Sequence, residues 1–280
     1  GSENIDFRTR HADFTNTAPA GNARWLGLPI AALSQLDRAF VIGSFLRKDH
    51  PLFASRLRQA ARRGAQISAI GSANDDWAIS LAQRVTVAPS AWAQALADVA
   101  VAIAGELNVT APCNGTATEA AKAIAASLMS GQSKAILLGN AAAQHPQASS
   151  LQALAQWIAS QTGARFGFLG ESANTVGAQL AGAQPQQGGL NAGEMLAGKG
   201  LKAFVLMGVE PEFDSANPAA AVQAVQAAEM VVVMSPFKGA APEYADVILP
   251  IAPFSETSGT FVNAEGRAQS FHGVVKPLGE

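Results

Sequence analysis

The densest group of polar side chains in this sequence follows a short apolar run, residues 245–250. It combines carboxylate, hydroxyl, amide and guanidinium groups with glycines, which permit left-handed turns and close backbone approach. Its members are Glu256, Thr257, Gly259, Thr260, Asn263, Gly266 and Arg267. Such groups can hydrogen-bond a polar ligand, but they can equally satisfy one another within a buried crossing loop. Residue chemistry alone leaves both a ligand loop and a structural closure open.

Three glycines form a second set of candidates, because each of them ends an apolar run: Gly43, Gly139 and Gly208. Ligands of open parallel sheets bind outside the carboxyl ends of the strands. None of the three glycines belongs to a G-x-G-x-x-G or P-loop motif, so the nucleotide signal is weak. Taken singly, each glycine is better explained by a tight turn between a strand and its loop.

The sequence gives little evidence for a metal site or a catalytic nucleophile. The four histidines do not have the spacing of a metal-binding motif. Cys113 has no neighbouring base that would lower the pKa of its thiol. As the only cysteine, it also excludes an internal disulfide and a cysteine-held cluster within these residues. We therefore predict no catalytic residue and no metal site.

The charge balance argues against nucleic-acid and membrane partners. The chain has 280 residues, with 19 basic and 21 acidic side chains and a net charge of −2. This gives no long-range attraction to nucleic acid or anionic lipid. No uninterrupted apolar stretch reaches the ~20 residues of a membrane helix. The sequence thus predicts no nucleic-acid partner and no direct membrane insertion, and its low cysteine content is typical of an intracellular protein.

Three copies of a strand–loop–helix–strand pattern must position these candidates. The runs AFVIG, KAILLG and KAFVLMG each lead, through a polar loop, to a proline near a predicted helix start: Pro51, Pro146 and Pro218. Proline suits the first turn of a helix. Apolar runs without alternation are typical of strands covered on both faces. The order of elements predicts right-handed crossovers and a parallel sheet in an α/β fold.

A Gly-, Gln- and Pro-rich stretch near residues 185–200 divides this pattern into two predicted lobes. A larger α/β lobe covers residues 24–184 and holds two repeats. A smaller α/β lobe covers residues 185–280 and holds the third repeat and the closing loop. Residues 1–23 are interpreted as a cloning-tag scar and an irregular lead-in, and the whole as part of a longer protein.

The tail carries the most specific motif. ADVILP and ETSGTFVNAEGRAQ resemble the signature A-D-V-x-L-P…E-x-x-G-T-x-x-N-x-E-G-R-x-Q of the molybdopterin oxidoreductases, of the formate dehydrogenase/DMSO reductase type. Within that superfamily, the chain is most similar to the large iron–sulfur subunits (G type) of bacterial NADH:quinone oxidoreductases, respiratory complex I. The similarity runs from about Arg24 to the end. It implies Rossmann-like units built on parallel sheets.

The resemblance also implies where a pterin cofactor would lie, and the sequence departs from the family pattern there. The first strand-end loop usually reads G-x-N-P, but Phe45 and Leu46 occupy the Asn-Pro positions. Glu210 stands where an uncharged polar residue is usual, and its charge would repel a phosphate. We therefore expect a scaffold without the cofactor. Its vestigial candidate positions are Gly43, Gly208, Glu210, Glu256, Gly259, Thr260, Asn263 and Arg267.

By the same resemblance, the chain would be a redox-silent structural and assembly portion of a complex I subunit. Its partners would be other subunits of the peripheral arm, on the cytoplasmic face of the bacterial inner membrane. The iron–sulfur clusters of the parent subunit would lie upstream. One alternative is a functional module that binds molybdopterin guanine dinucleotide. Another, an independent nucleotide-binding domain, would need a glycine-rich first loop that GSFLRK does not provide.

If the tail is a structural closure, its residues should adopt a specific arrangement. Residues 253–267 should fold over the carboxyl ends of the strands, with Glu256 paired to Arg267. Thr257, Thr260 and Asn263 should bind backbone groups that the crossing loop would otherwise leave unpaired. Replacing Glu256 by alanine should then lower stability.

Overall fold

The computed structural model describes residues 2–15 and 23–277. Its first sheet has five parallel strands in the order β3-β2-β1-β4-β5. The strands are β1 (Arg38–Ile42), β2 (Gln66–Gly71), β3 (Gln83–Thr86), β4 (Lys134–Leu138) and β5 (Arg165–Phe168). The predicted α/β fold with parallel, Rossmann-like units is confirmed.

Helices cover both faces of this sheet, because successive side chains of a strand point to opposite faces. Phe40 and Ile42 of β1 enter a core with the helices of residues 92–107, 119–130 and 148–162. Ala39 and Val41 pack on the other face, against the helix of residues 51–62 and a 3-10 helix, Ile30–Gln35. The helices are α1 (Leu46–Asp49), α2 (Pro51–Arg62), α3 (Trp92–Leu107), α4 (Glu119–Ser130), α5 (Asn140–Ala143), α6 (Ala148–Thr162), α7 (Thr175–Leu180), α8 (Ala192–Leu196), α9 (Pro211–Asp214) and α10 (Pro218–Gln226).

Two of the three repeat prolines lie at helix starts, as predicted, and the third precedes its helix. Pro51 opens α2 and Pro218 opens α10, and Pro146 lies two residues before the start of α6. The missing N–H of proline removes a donor that has no partner within the helix at this position.

The second sheet has three parallel strands in the order β6-β7-β8. They are β6 (Ala203–Met207), β7 (Met230–Ser235) and β8 (Val247–Pro250). Phe204 and Leu206 of β6 join Val225 of α10 in one core cluster, while the other three residues of the strand, Ala203, Val205 and Met207, are exposed. The prediction that the repeat strands are covered on both faces is therefore wrong for β6 and for β7, whose burial also alternates. It is confirmed for β1, β2 and β4, whose apolar residues are buried throughout.

The last two described strands, β9 (Gly259–Val262) and β10 (Ala268–Phe271), form an antiparallel hairpin. This hairpin contacts the surroundings of the first sheet. Leu26 N–H donates to the Ala264 carbonyl at 2.7 Å, and Val262 N–H donates to Asn174 Oδ1 at 2.8 Å. The division into lobes at residue 185 stays a prediction.

Residues 3–15, which we call the N-terminal strap, are irregular but hydrogen-bonded to distant parts of the chain. Leu190 N–H donates to Asn4 Oδ1 at 2.8 Å, and Ala192 N–H donates to Asp6 Oδ2 at 3.1 Å. Asp13 accepts hydrogen bonds from the backbone and the hydroxyl of Ser149. Although burial raises the pKa of Asp13, these bonds outweigh it and lower the pKa to about 2. Residues 4 and 6, interpreted above as part of a tag scar, thus belong to the packed structure.

Candidate functional site

A crevice of about 680 Å³ opens at the carboxyl ends of the strands, where ligands of open α/β sheets bind. Loops that follow β1, β4 and β5 supply one wall, and the loop after β6 supplies part of another. The strap closes the remaining side with residues 7–11. We call this cavity the strand-end crevice. Its polar lining residues include Arg8, Arg10, His11, Asp49, Asn140, Gln144, Glu171 and Asp214.

Glu171 is the main polar residue of the crevice that sequence reasoning missed. Its Oε1 lies 2.8 Å from His11 Nε2, and its Oε2 accepts a hydrogen bond from Gln144 Nε2 at 3.0 Å. Burial raises the pKa of the Glu171 carboxyl, but the His11 and Gln144 hydrogen bonds and the nearby Arg24 charge bring it below its usual value. The only sequence signal was its place directly after Gly170, at the end of the apolar run FGFLG.

Each cationic side chain that lines the crevice is paired with a carboxylate. Arg8 donates two hydrogen bonds of 2.8 Å to Asp6, and both side chains are buried. Arg10 donates to Asp214 Oδ1 at 2.8 Å near the surface. With His11 held by Glu171, the described lining of the crevice presents no unpaired cation to an anionic ligand.

Two predicted glycines stand in different surroundings. Gly43 has a φ of +61°, and a Cβ there would lie 2.7 Å from the Ala142 nitrogen and 2.8 Å from Trp92 Cζ3. The space beside Gly43 is thus filled by protein. Gly208, with a φ of +60°, has no atom within 4 Å of such a Cβ and borders the crevice. Of these two positions, Gly208 has the open approach to its backbone.

The residues that replace the G-x-N-P motif do not present polar side chains to a ligand. Leu46 is fully buried in the core, and Phe45 is partly exposed. The backbone N–H of Phe45 donates to Asp49 Oδ2 at 3.1 Å, so this turn is closed by the chain itself.

Glu210 lies in an acidic cluster beside the second sheet. Its N–H donates to Asp214 Oδ2 at 3.0 Å. The hydroxyl of Tyr244 donates to Glu212 Oε2 at 3.4 Å. Burial, together with the nearby charges of Glu212, Glu210 and Glu243, raises the pKa of Tyr244 to about 12. The cluster would repel a phosphate near this loop.

The tail reaches the strand ends, as predicted, through its hairpin. A second cavity of about 640 Å³ lies between the hairpin and the loops after β1 and β5. Phe261, Asn263 and Ala264 line it, and it shares Asp49, Glu171 and Ser172 with the strand-end crevice.

The predicted pair of Glu256 and Arg267 is wrong. Arg267 Nε lies 3.2 Å from Oε1 of Glu265, whose Oε2 accepts the backbone N–H of Ile30 at 2.7 Å. The hydrogen bond from Ile30 lowers the pKa of Glu265, although burial opposes this, and Asn263 and Arg267 add to it. The turn therefore places Glu265, and not Glu256, beside Arg267.

The other tail residues mainly bind the chain itself. Asn263 Oδ1 accepts the backbone N–H of both Glu265 and Arg267, as predicted for a residue that caps a turn. Thr257 donates to the Pro253 carbonyl, a backbone group as predicted. Thr260 instead hydrogen-bonds the Ser270 side-chain hydroxyl across the hairpin, so the prediction of a backbone partner is wrong for Thr260. A Cβ at Gly259 would lie 2.7 Å from the Phe271 ring. These contacts favour the structural closure over the ligand loop.

We expect Glu265→Ala to lower the free energy of unfolding by about 1–3 kcal/mol, since it leaves the Ile30 N–H without its partner. Glu256→Ala, the matched control, should change it by less than about 0.5 kcal/mol. Urea unfolding followed by circular dichroism measures both. A larger loss from Glu256→Ala than from Glu265→Ala would contradict this assignment of the closing residue.

The described residues offer neither a metal cluster nor a membrane-spanning helix. Within residues 2–15 and 23–277, no three His, Cys, Asp or Glu residues are grouped so as to hold a metal ion. Over the same residues, no helix combines the length and hydropathy needed to cross a membrane.

Comparison with known proteins agrees with the fold and the tail motif. The family model "Molybdopterin oxidoreductase" matches residues 1–280. The G subunit of the NADH-quinone oxidoreductase of Mycobacterium bovis is 27% identical over 303 residues, which are 99% of this chain and 36% of that protein. The chain thus spans about a third of the length of this relative. The alpha subunit of the F420-dependent formate dehydrogenase of Methanocaldococcus jannaschii is 34% identical over 94 residues, 33% of this chain and 14% of that protein.

A solved structure shares the fold at low identity. It is the X-ray structure of the formyltransferase/hydrolase complex (FhcABCD) from Methylorubrum extorquens in complex with methylofuran. Its matched chain has a TM-score of 0.59 and 15% identity, with 93% of this chain and 74% of that chain covered. The resemblance carried by the tail motif is therefore confirmed, and the chain belongs to the molybdopterin oxidoreductase family.

Proposed function

We propose that this chain is a redox-silent structural part of a G-type subunit of NADH-quinone oxidoreductase, on a family scaffold that no longer holds a pterin cofactor. The observation that carries the proposal is the charge pairing in the strand-end crevice. Arg8, Arg10 and His11 are each engaged by a carboxylate of the chain. A cofactor diphosphate would need to displace those carboxylates or remain unpaired, and either is costly in a partly buried site.

The residues at the strand ends do not fit the family's cofactor. Phosphates are held by free backbone N–H groups, helix N-termini and unpaired cations. Here the Phe45 N–H is taken by Asp49, and the space beside Gly43 is filled by Ala142 and Trp92. Asp49, Glu171 and Asp214 add negative charge to the crevice lining. The open backbone at Gly208 is the feature that favours the alternative, a functional molybdopterin guanine dinucleotide module.

The proposed role is docking and assembly in the peripheral arm, at the cytoplasmic face of the inner membrane. Its support is that relatives from three genera, Mycobacterium, Streptomyces and Pseudomonas, are all named as the G subunit of NADH-quinone oxidoreductase. Iron–sulfur clusters, on this proposal, belong to other parts of the parent subunit, since this chain has a single cysteine.

We expect the protein, purified without added metal, to contain far less than one molybdenum or tungsten atom per chain and no pterin fluorescence after acid oxidation. Elemental mass spectrometry and fluorescence of the acid extract measure the two quantities. GTP at millimolar concentration should leave the melting temperature unchanged, because the described crevice lining offers no free cation to its phosphates. Stoichiometric molybdenum or tungsten with pterin, or a clear GTP stabilisation, would instead support the functional cofactor module.

A further inference from the structure

One face of the second sheet is apolar and exposed. Its residues form rows across the three paired strands. Val205, Val232 and Val247 make one row, and Met207, Met234 and Leu249 make the next. Ala203 and Met230 begin a third row. We call these eight residues the bare face.

The exposure of the bare face is unusual for such side chains. Val205 is 67% exposed, Met207 64%, Met230 46%, Leu249 44% and Val247 38%. Singly exposed aliphatic residues are normal, but a contiguous apolar patch marks a contact surface. Parallel sheets, moreover, occur almost only with both faces covered by helices.

Strand β4 of the same chain can be compared with β6, which contributes to the bare face. Strand β4 and strand β6 come from the similar runs KAILLG and KAFVLMG. In β4 all four residues after Lys134 are buried, because helices lie on both sides of the first sheet. In β6 the same apolar pattern alternates between buried and exposed. The sequence of β6 is thus suited to two helical layers, and the described structure supplies one.

The described part of the chain also explains why the second layer is missing. The helix α10 between β6 and β7 lies on the covered face, where Ala224 and Val225 join the core. The connection from β7 to β8 contains only a three-residue 3-10 helix, Ala241–Glu243. So short a connection cannot both cross the sheet and form a covering helix, since helical crossovers need about a dozen or more residues.

We infer that an α-helix from outside residues 1–280 of the same polypeptide covers the bare face. Three strands spaced by about 4.8 Å make a face about 10 Å wide, the diameter of one α-helix. The five-residue length of β6 corresponds to about 10 residues of helix. Methionines at three of the eight positions suit a partner surface that adapts in packing. The relative from Mycobacterium bovis is long enough to hold such a helix, because the matched region is 36% of it.

The covering helix should be amphipathic, with aliphatic residues at spacings of three and four so that they form one stripe. The inference goes beyond the proposed loss of cofactor, since the bare face lies on the sheet and not at the strand ends. Either proposal can fail while the other stands.

The first test places a photo-crosslinking amino acid at Val205 in the full-length polypeptide, purified in its native assembly. The expected product is an intramolecular link to a segment outside residues 1–280 with an apolar helical stripe, identified by peptide mass spectrometry. The control has the same amino acid at Leu52, which is 78% exposed on α2, and it should not link to that segment. A link to a second copy or to another subunit, or none at all, would overturn the inference.

The second test compares Val205→Lys in two lengths of chain. In residues 1–280 the melting temperature should stay within about 1 °C, because Val205 is already exposed. In the full-length polypeptide it should fall by on the order of 5 °C, since the lysine would be buried against the covering helix. Leu52→Lys should be neutral in both. Equal effects of Val205→Lys in the two lengths would count against a covering helix.

Discussion

Gly167→Ala is expected to lower the free energy of unfolding by more than about 4 kcal/mol, or to prevent folding altogether. A Cβ at this position would lie 1.8 Å from the Leu26 carbonyl oxygen and 2.2 Å from its carbon. The obstacle is backbone, which cannot rotate away as a side chain can. The reverse approach is equally tight, because a Cβ at Gly27 would lie 2.0 Å from the Phe166 oxygen.

The matched control is Gly105→Ala in α3. A Cβ there meets nothing within 4 Å. In a helix interior, alanine is more stable than glycine by roughly 0.5–1 kcal/mol. Gly105→Ala should therefore be neutral or stabilising. Soluble yield and urea unfolding of the two variants measure the contrast. A folded Gly167→Ala protein of nearly unchanged stability would show that the segment before Ile30 does not cross β5 so closely.

The second large effect is expected from Asp6→Ala, which should cost about 3–5 kcal/mol because it leaves the Arg8 guanidinium buried without its partner. The exposed fractions of the two side chains are 3% for Arg8 and 0% for Asp6. Asp6 also accepts the backbone N–H of Ala192, at the start of α8. Both groups would lose their acceptor at once.

Two variants sharpen this test. Glu229→Ala removes one partner of the exposed pair with Lys202 and should change stability by less than about 0.5 kcal/mol. Asp6→Leu combined with Arg8→Met replaces a buried ion pair by apolar groups, and it should recover much of the loss. Chemical unfolding of all three proteins gives the comparison. If Asp6→Ala and Glu229→Ala were equally mild, the strap would not be anchored by a buried charge pair.

The repeating strands and helices could be predicted because their signals are local. In each repeat, an apolar run, a glycine and a proline at a helix start follow one another closely along the chain. Whether helices cover both faces of a strand depends on residues that are distant from it in the sequence. KAILLG and KAFVLMG look alike, and only the surroundings make β4 buried and leave Val205 exposed.

The candidate site could be predicted only in part, for the same physical reason. Its position at the strand ends follows from the parallel topology. The pairing of His11 with Glu171 joins residues 160 positions apart, and no pattern in the sequence links them. In the tail, the choice between Glu256 and Glu265 depends on a turn held by two hydrogen bonds to Asn263 Oδ1. A one-residue change in that turn would redirect the carboxylate, so composition could not decide it.

The contacts of the strap have a consequence for the order of events during synthesis. Arg10 and Asp214 are separated by 204 positions, and Asn4 and Leu190 by 186. At about 5–20 residues per second, the first residues leave the ribosome roughly 10–40 seconds before their partners exist. The contacts of Asn4 and Arg10 can therefore form only after every strand of the first sheet has been synthesised, whereas Asp13 can meet Ser149 earlier.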